Sequence, residues 1–404
     1  MKEVKTPSYV VQMSILLAFF FSINIIYISF TPPSDEGIDS GGVLGLLYAA
    51  NAFLIFVISG LSGHMRLKNI SYYSIFLAIL LIILYRYTDT HIGPPRTPIL
   101  GFLCYTIVSF LLPNFVTIDV KLLLKSMMIF SLPLLFRVGA ILFTSINMTG
   151  SLSLGYSYMF LPPVLVSIVY MHYYYKSETK DERVVSMICF IANIFYAFFI
   201  IAYGSRGPVL AILALIVIMR LVKIDPKKKE KKIAKGKVFF VIIFIVVIIS
   251  SFIPILTFLK SVLNSFDINI VFIDHFLEME ARGDVTSGRN ILYLMTTEAI
   301  AQRPYFGYGI DQFENNLNEV YPHNFFLQLL YDGGIFLTSV VLIPVIYKLI
   351  KKLKDCSYNE FVVIIVLFFA SVPGGLLSGD LWTMSLLWAF FGAALSKNFV
   401  YQRQ

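Results

Sequence analysis

A dozen or so apolar stretches divide this chain, and a polymer built that way has few folds open to it. They run roughly over residues 10–30, 41–61, 71–87, 98–113, 125–147, 155–175, 184–203, 208–222, 238–259, 326–350, 361–377 and 381–396. Most approach the ~20 residues a helix needs to cross a hydrocarbon core. Backbone N–H and C=O groups in lipid must find partners within the segment, so runs of this kind become helices. The expectation is an all-α polytopic membrane protein of about twelve transmembrane helices. Composition agrees, with 58% hydrophobic and 14% charged residues and a mean hydropathy of +0.79, which exclude an ordinary soluble globule. The first stretch has no small-residue cleavage site and reads as a retained signal anchor. Cys104 and Cys189 fall in apolar spans and Cys356 in a lysine-rich loop, so no pair is placed for an exported disulfide.

Charge orients the bundle. With the N-terminus inside, the loops around Arg66, Lys121, Lys176, Lys227 and Lys351 and the tail at Lys397 all fall inside, while Asp35, Glu36 and Asp39 fall outside. Of the 32 basic residues, 24 lie on the inner side, and of those only Arg66, Arg183, Arg220 and Arg403 are arginines. The outer side holds Arg86, Arg96, Arg137, Arg206, Arg282, Arg289 and Arg303, with Lys260 the one lysine. Positive-inside bias counts arginine as well as lysine and does not explain that gathering. Planar guanidinium forks suit phosphate or carboxylate oxygens, so an anionic ligand is expected on the outer face. The run 223–237 holds eight lysines, but a basic loop beside an anionic leaflet already has a topological role, and no nucleic-acid partner is expected.

The chain then divides into nine helices over residues 1–259, one long outward loop over 260–325, and three helices over 326–404. Within the loop, Arg289 to Gln302 reads as an amphipathic helix with Ile291, Leu294, Met295 and Ile300 near one face, lying against the membrane surface and stopped by Pro304. Pro304 to Gly309, PYFGYG, supplies turn chemistry with aromatics, and YPHN leads into the next span.

Several outer residues are suited to chemistry. Arg206, in GSRGP, opens a helix whose first turn contains Pro208, so its guanidinium joins free N–H groups and the positive end of the helix dipole. The alternative is that it snorkels to lipid headgroups. Arg137 lies about 12 residues into its span, where a charge must be hydrated or bonded within the bundle; a wet cavity is the favoured reading. His323 opens the span after the long loop, where the helix N-terminus and nearby arginines disfavour imidazolium, leaving a neutral ring able to accept a proton. A lone histidine is more often a cap than a catalyst. Tyr305, Phe306, Tyr308 and Tyr321 offer flat faces for a sugar, or pack against their own helix. Asp332 and Asp380 are each expected to pair with an arginine or to serve as a base in place of His323. Gly333 and Gly334 are expected to let helices pack closely. No close His or Cys pairing and no Asp-x-Asp pair points to a metal.

Taken in order, GSRGPVL, GRNILY, RPYFGYGIDQF and HNFFLQLLYDGG, which span Arg206 to Gly334, resemble the signature of the O-antigen polymerase and O-antigen ligase superfamily of bacterial inner membranes. The strongest parts are Arg206 with Leu210, and His323–Asn324 opening a helix shortly before Gly333. The tryptophan often found after the GR motif is missing, with Tyr293 near its place, which leaves the subfamily open. The resemblance implies a GT-C-like, metal-independent and cofactor-free glycosyltransferase whose donor is a glycan on undecaprenyl diphosphate. It implies His323 as general base, with Arg206 and Arg289 stabilising the departing diphosphate. Arg137, Arg303, Asn324, Tyr305, Tyr308 and Tyr321 would bind substrate. Membrane lipids and a chain-length regulator protein are the expected partners. The polymerase is favoured over the ligase. From a different class, a transporter or flippase of lipid-linked sugars would need charges or broken helices near mid-membrane in both halves, and perhaps a repeat.

Overall fold

The computed structural model describes residues 6–31, 43–62, 71–143, 150–203, 206–225, 230–233, 289–317 and 321–396, with shorter pieces at 257–278, 319 and 399–401. The apolar span expected at 238–259 lies almost wholly outside the described residues, as do His275, Arg282 and most of the loop before Arg289.

The described chain is helical apart from one hairpin. In order come α1 (Ser8–Phe30), α2 (Val43–Leu61), α3 (Tyr72–His91), α4 (Ile99–Phe115), α5 (Val120–Phe130), α6 (Leu134–Phe143), α7 (Gly150–Tyr173), α8 (Lys180–Tyr203) and α9 (Arg206–Leu221). The hairpin β1 (Val222–Asp225) and β2 (Glu230–Ile233) pairs antiparallel, Val222 opposite Ile233, and lengthens α9 with strand where a lysine-rich loop was expected. After it come α10 (Arg289–Gln302), α11 (Phe313–Leu317), α12 (Phe325–Asp355), α13 (Tyr358–Leu377) and α14 (Ser385–Leu395). Among the described residues, seven helical segments are long and apolar enough to cross a membrane: α1, α2, α3, Val120–Ile141, Lys180–Ile201, α12 and α13. Three shorter apolar helices, α4, Gly207–Leu221 and α14, accompany them.

Helix α13 is the most enclosed of these and packs against α7, α9 and α14, while α1 packs against α2, α5 and α6. The start of α13 is fixed by a capping box in which Ser357 and Glu360 each satisfy the other's backbone N–H. Polar side chains act as glue where helices meet. Ser131 donates to Asn193, and Asn193 donates to Ser167, at 2.8 and 2.7 Å, beside the break between α5 and α6. At the lysine-bearing end, the buried Glu178 accepts from Lys125, Tyr170 and Ser186 at 2.6–2.8 Å and ties α5, α7 and α8 together.

Helix α12 is not one continuous helix, as the span 326–350 had suggested. Gly334 sits at φ 60°, ψ −165°, a conformation almost confined to glycine, and the helix breaks there. The turn Pro304–Gly309 fills the break. Tyr308 and Gly309 N–H donate to the carbonyls of Tyr331 and Asp332 at 2.9 and 2.8 Å, while Ile335 and Phe336 N–H donate to Pro304 and Tyr305 at 2.8 and 3.1 Å. The backbone groups freed by the break are thereby satisfied inside the protein, as lipid requires. Gly334 and Gly307 thus serve this splice: a side chain at 334 would strike the Tyr305 backbone, and one at 307 the backbone of Tyr331 and Asp332.

Candidate functional site around His323

The splice anchors the first turns of α12 and, through them, the residues that open the helix. Asn324 caps α12, its side-chain oxygen accepting from Phe326 and Leu327 N–H at 3.0 and 3.2 Å. That oxygen is committed to the helix, so Asn324 holds His323 in place and is not offered to a substrate by this contact. His323, immediately before the cap, has φ 54°, left-handed backbone that non-glycine residues rarely adopt. Its ring lies against Tyr321, with centroids 4.4 Å apart, and near the backbone of Ser378, just past the end of α13. Nδ1 is enclosed and has no hydrogen-bond partner. Burial and then the Arg289 guanidinium hold the imidazole below its usual range, against the opposing pull of Ser378, Glu319 and Asp380. The neutral ring expected from sequence is supported, and its largest cause is enclosure.

Arg289 opens α10 close enough to bear on both His323 and Tyr321. No ion pair holds it among the described residues. Arg206 is the first residue of α9, as the Pro208 signal predicted. Its side chain lies outside what the structure describes, but its neighbour Gly207 abuts Leu377 and the Tyr158 hydroxyl. The start of α9 therefore meets the end of α13, one residue from Ser378, which lies near His323. Gly207 thus makes its close approach to a neighbouring helix.

Other nominated residues lie elsewhere. The Arg137 guanidinium donates to the Thr31 carbonyl at 2.8 Å and to the Tyr156 hydroxyl, and lies 5.0 Å from that ring. This corrects the wet-cavity reading: Arg137 is buried and bonded within the bundle, at the electronegative C-terminus of α1. The described cavity is apolar, lined by Phe21, Leu124, Pro162 and Val363 among others, and includes none of the residues around His323. Arg303 stacks on Tyr308 at 4.7 Å, and Tyr308 stacks on Tyr331 at 4.6 Å while donating to the Ala299 carbonyl. Those two residues seal α10 onto α12. Tyr305 is 69% exposed at the surface of the splice.

Helix α10 keeps three residues of its expected outer face, and Ile300 turns inward. Thr296 and Ala299 are buried with Leu292 and Ile300 packed beside them, whereas Ile291, Leu294 and Met295 remain exposed. Ile300 belongs to the inner face because the splice brings Tyr331 and Phe313 beneath it.

Arg96, one of the seven outer arginines, also comes close to this site. Its guanidinium lies 5.7 Å from the Tyr321 ring, 3.5 Å from Asp380 and 3.6 Å from Glu314. Its position in a Pro-Pro-Arg-Thr-Pro turn was the available signal. That turn is pinned by Asp311, whose carboxylate accepts from Thr97 N–H at 2.5 Å and whose carbonyl accepts from Arg96 N–H at 3.5 Å. Burial, then the Asp380 charge, raises the Asp311 carboxyl above the ordinary range. Asp380 does pair with an arginine, as expected; it also accepts from Gln328 at 2.8 Å and Trp382 N–H at 3.1 Å. Asp332 instead accepts from the Trp382 indole at 2.5 Å.

Residues 191–342 match the family model described as O-antigen ligase. No curated protein matches the chain. The matched stretch contains Arg206, α10, the splice and His323, and over that stretch the chain is similar to the O-antigen ligase family.

Proposed function

We propose that this chain is a polysaccharide polymerase that transfers a glycan from undecaprenyl diphosphate to a sugar hydroxyl of a lipid-linked repeat unit. In this reading twelve helices cross the bacterial inner membrane, the lysine-rich turns and both termini face the cytoplasm, and His323 stands at the periplasmic rim. The acceptor hydroxyl gives its proton to the His323 imidazole as its oxygen bonds the anomeric carbon. The bond from that carbon to the diphosphate oxygen breaks, and the electron pair leaves with undecaprenyl diphosphate. Arg289, with Arg206, stabilises the charge that develops there. Direct displacement inverts the anomeric centre and needs neither a covalent intermediate nor a metal.

The observation that supports this best is the His323 imidazole, held in left-handed backbone and kept below its usual range by burial and by the Arg289 guanidinium. Purified protein supplied with lipid-linked repeat units should yield a ladder of product lengths. Transfer confined to a lipid A core acceptor would make the protein a ligase instead, and movement of the lipid-linked sugar across the bilayer without transfer would make it a transporter.

A further inference from the structure

Between α13 and α14 the chain leaves helical geometry, yet Ser378, Asp380, Leu381 and Trp382 are buried there, so their polar groups need partners within the protein. One side chain supplies two of them. Gln328, wholly buried in the first turn of α12, accepts from Leu381 N–H through Oε1 and donates through Nε2 to Asp380 Oδ1, both at 2.8 Å. An amide is required for that pair of bonds: glutamate would set a second carboxylate against Asp380, and an apolar side chain would leave both groups without Gln328 as a partner. The segment is fixed from other sides too. Asp380 Oδ1 accepts from Trp382 N–H at 3.1 Å, the Trp382 carbonyl accepts from Thr106 at 2.9 Å, and its indole donates to Asp332 at 2.5 Å.

This clamp sits on the same turn as the residues that open α12, since Gln328 N–H donates to the Asn324 carbonyl at 2.9 Å. What it places is a charge. Asp380 Oδ2 faces Arg96 at 3.5 Å, Arg96 lies against Tyr321, and Tyr321 lies against His323. Of the charges that bear on the imidazole, Arg289 at the start of α10 disfavours its protonated form, while Glu319, ahead of Tyr321, and Asp380, on the clamped segment, favour it.

We infer that Gln328 is a positioning residue for the transfer: by clamping the segment between α13 and α14 onto the first turn of α12, it fixes the Asp380 carboxylate beside Arg96, Tyr321 and His323. The inference rests on the glycosyl-transfer reading and adds to it a residue that acts through others and touches no substrate.

The test uses the full chain in nanodiscs with isotope-labelled histidine, where NMR follows the titration of His323; its signal among the five histidines is the one lost in His323→Gln. Asp380→Asn keeps an oxygen for Gln328 and Trp382 N–H but removes the charge, so the His323 midpoint should fall by about half a pH unit, less than a charge in direct contact would give. Gln328→Met should move the midpoint in the same direction and lower turnover about tenfold, with affinity for undecaprenyl diphosphate within about twofold of wild type. Combining Gln328→Met with Asp380→Asn should move the midpoint no further than Asp380→Asn alone, because both act through one carboxylate. An unmoved midpoint in folded Gln328→Met, or shifts that add in the double variant, would overturn the clamp. If Gln328→Met fails to fold, Asp380→Asn decides alone, since an unmoved midpoint there leaves the clamp no charge to place. Failure of the wild-type protein to extend lipid-linked repeat units would instead remove the glycosyl-transfer reading and leave the titration result standing.

Discussion

A left-handed backbone at a residue other than glycine costs on the order of 1–3 kcal/mol, and surrounding structure has to hold it there. At His323 that structure is the Asn324 cap on one side and contacts with Tyr321 and Ser378 on the other. The consequence is chemical, because the ring is enclosed, neutral and has one nitrogen without a partner. Its imidazole is held below the usual value near 6.5, so activity should persist as pH falls through 6.5 and disappear only lower, where the ring protonates and stops accepting. Removing the neighbouring charge in Arg289→Gln should move that acid limb upward, toward the ordinary range; a pH–rate profile of the variant that shifts downward would contradict the assignment. His323 was legible in the sequence because a His-Asn pair before an apolar run is a local helix-start pattern. Arg96 was not, since its partners Asp380 and Glu314 come from segments more than 200 residues away. Arg137 was misread for the same reason: no acid lies near it in sequence, and a carbonyl at the end of α1 does the pairing.

At the scale of elements, periodicity and length locate most helices but not where one of them breaks. The motif YDGG looked like a small-residue packing surface; in the fold it is a splice whose hydrogen bonds come from Pro304–Gly309. Nothing local in either segment shows that the two meet, and the face that α10 buries is a result of that meeting. The splice also sets where α12 begins and hence where His323 stands. Gly334→Ala should therefore lower the melting temperature by at least about 5 °C, because it combines a disfavoured backbone with a clash against Tyr305. Gly155→Ala, in α7 with nothing within 4 Å of the added carbon, should change melting by no more than about 2 °C. Equal melting of the two variants would show that the splice bears no strain.

For the whole molecule, the separation of arginine from lysine survives in the described contacts. Lys125 and Lys352 tie helix ends at one end of the bundle, bonding Glu178 and the carbonyls of Ala393 and Ser396, while Arg96 and Arg289 gather with His323. The proposed orientation makes the His323 end periplasmic. A membrane-impermeant maleimide should then label Tyr305→Cys in intact spheroplasts and label Lys180→Cys only after the membrane is opened; the reverse pattern would invert the topology. Hydropathy made the multi-span architecture legible, and the ordered motifs from Arg206 to Gly334 made the family legible. In the proposed reaction His323 takes the acceptor's proton and does not serve merely to hold the donor. The most direct test takes His323→Ala through two measurements on the same purified protein, binding of undecaprenyl diphosphate and turnover of lipid-linked repeat units. We predict donor-side affinity close to wild type with turnover lower by at least about a hundredfold, and turnover near wild type, or loss confined to binding, would contradict it.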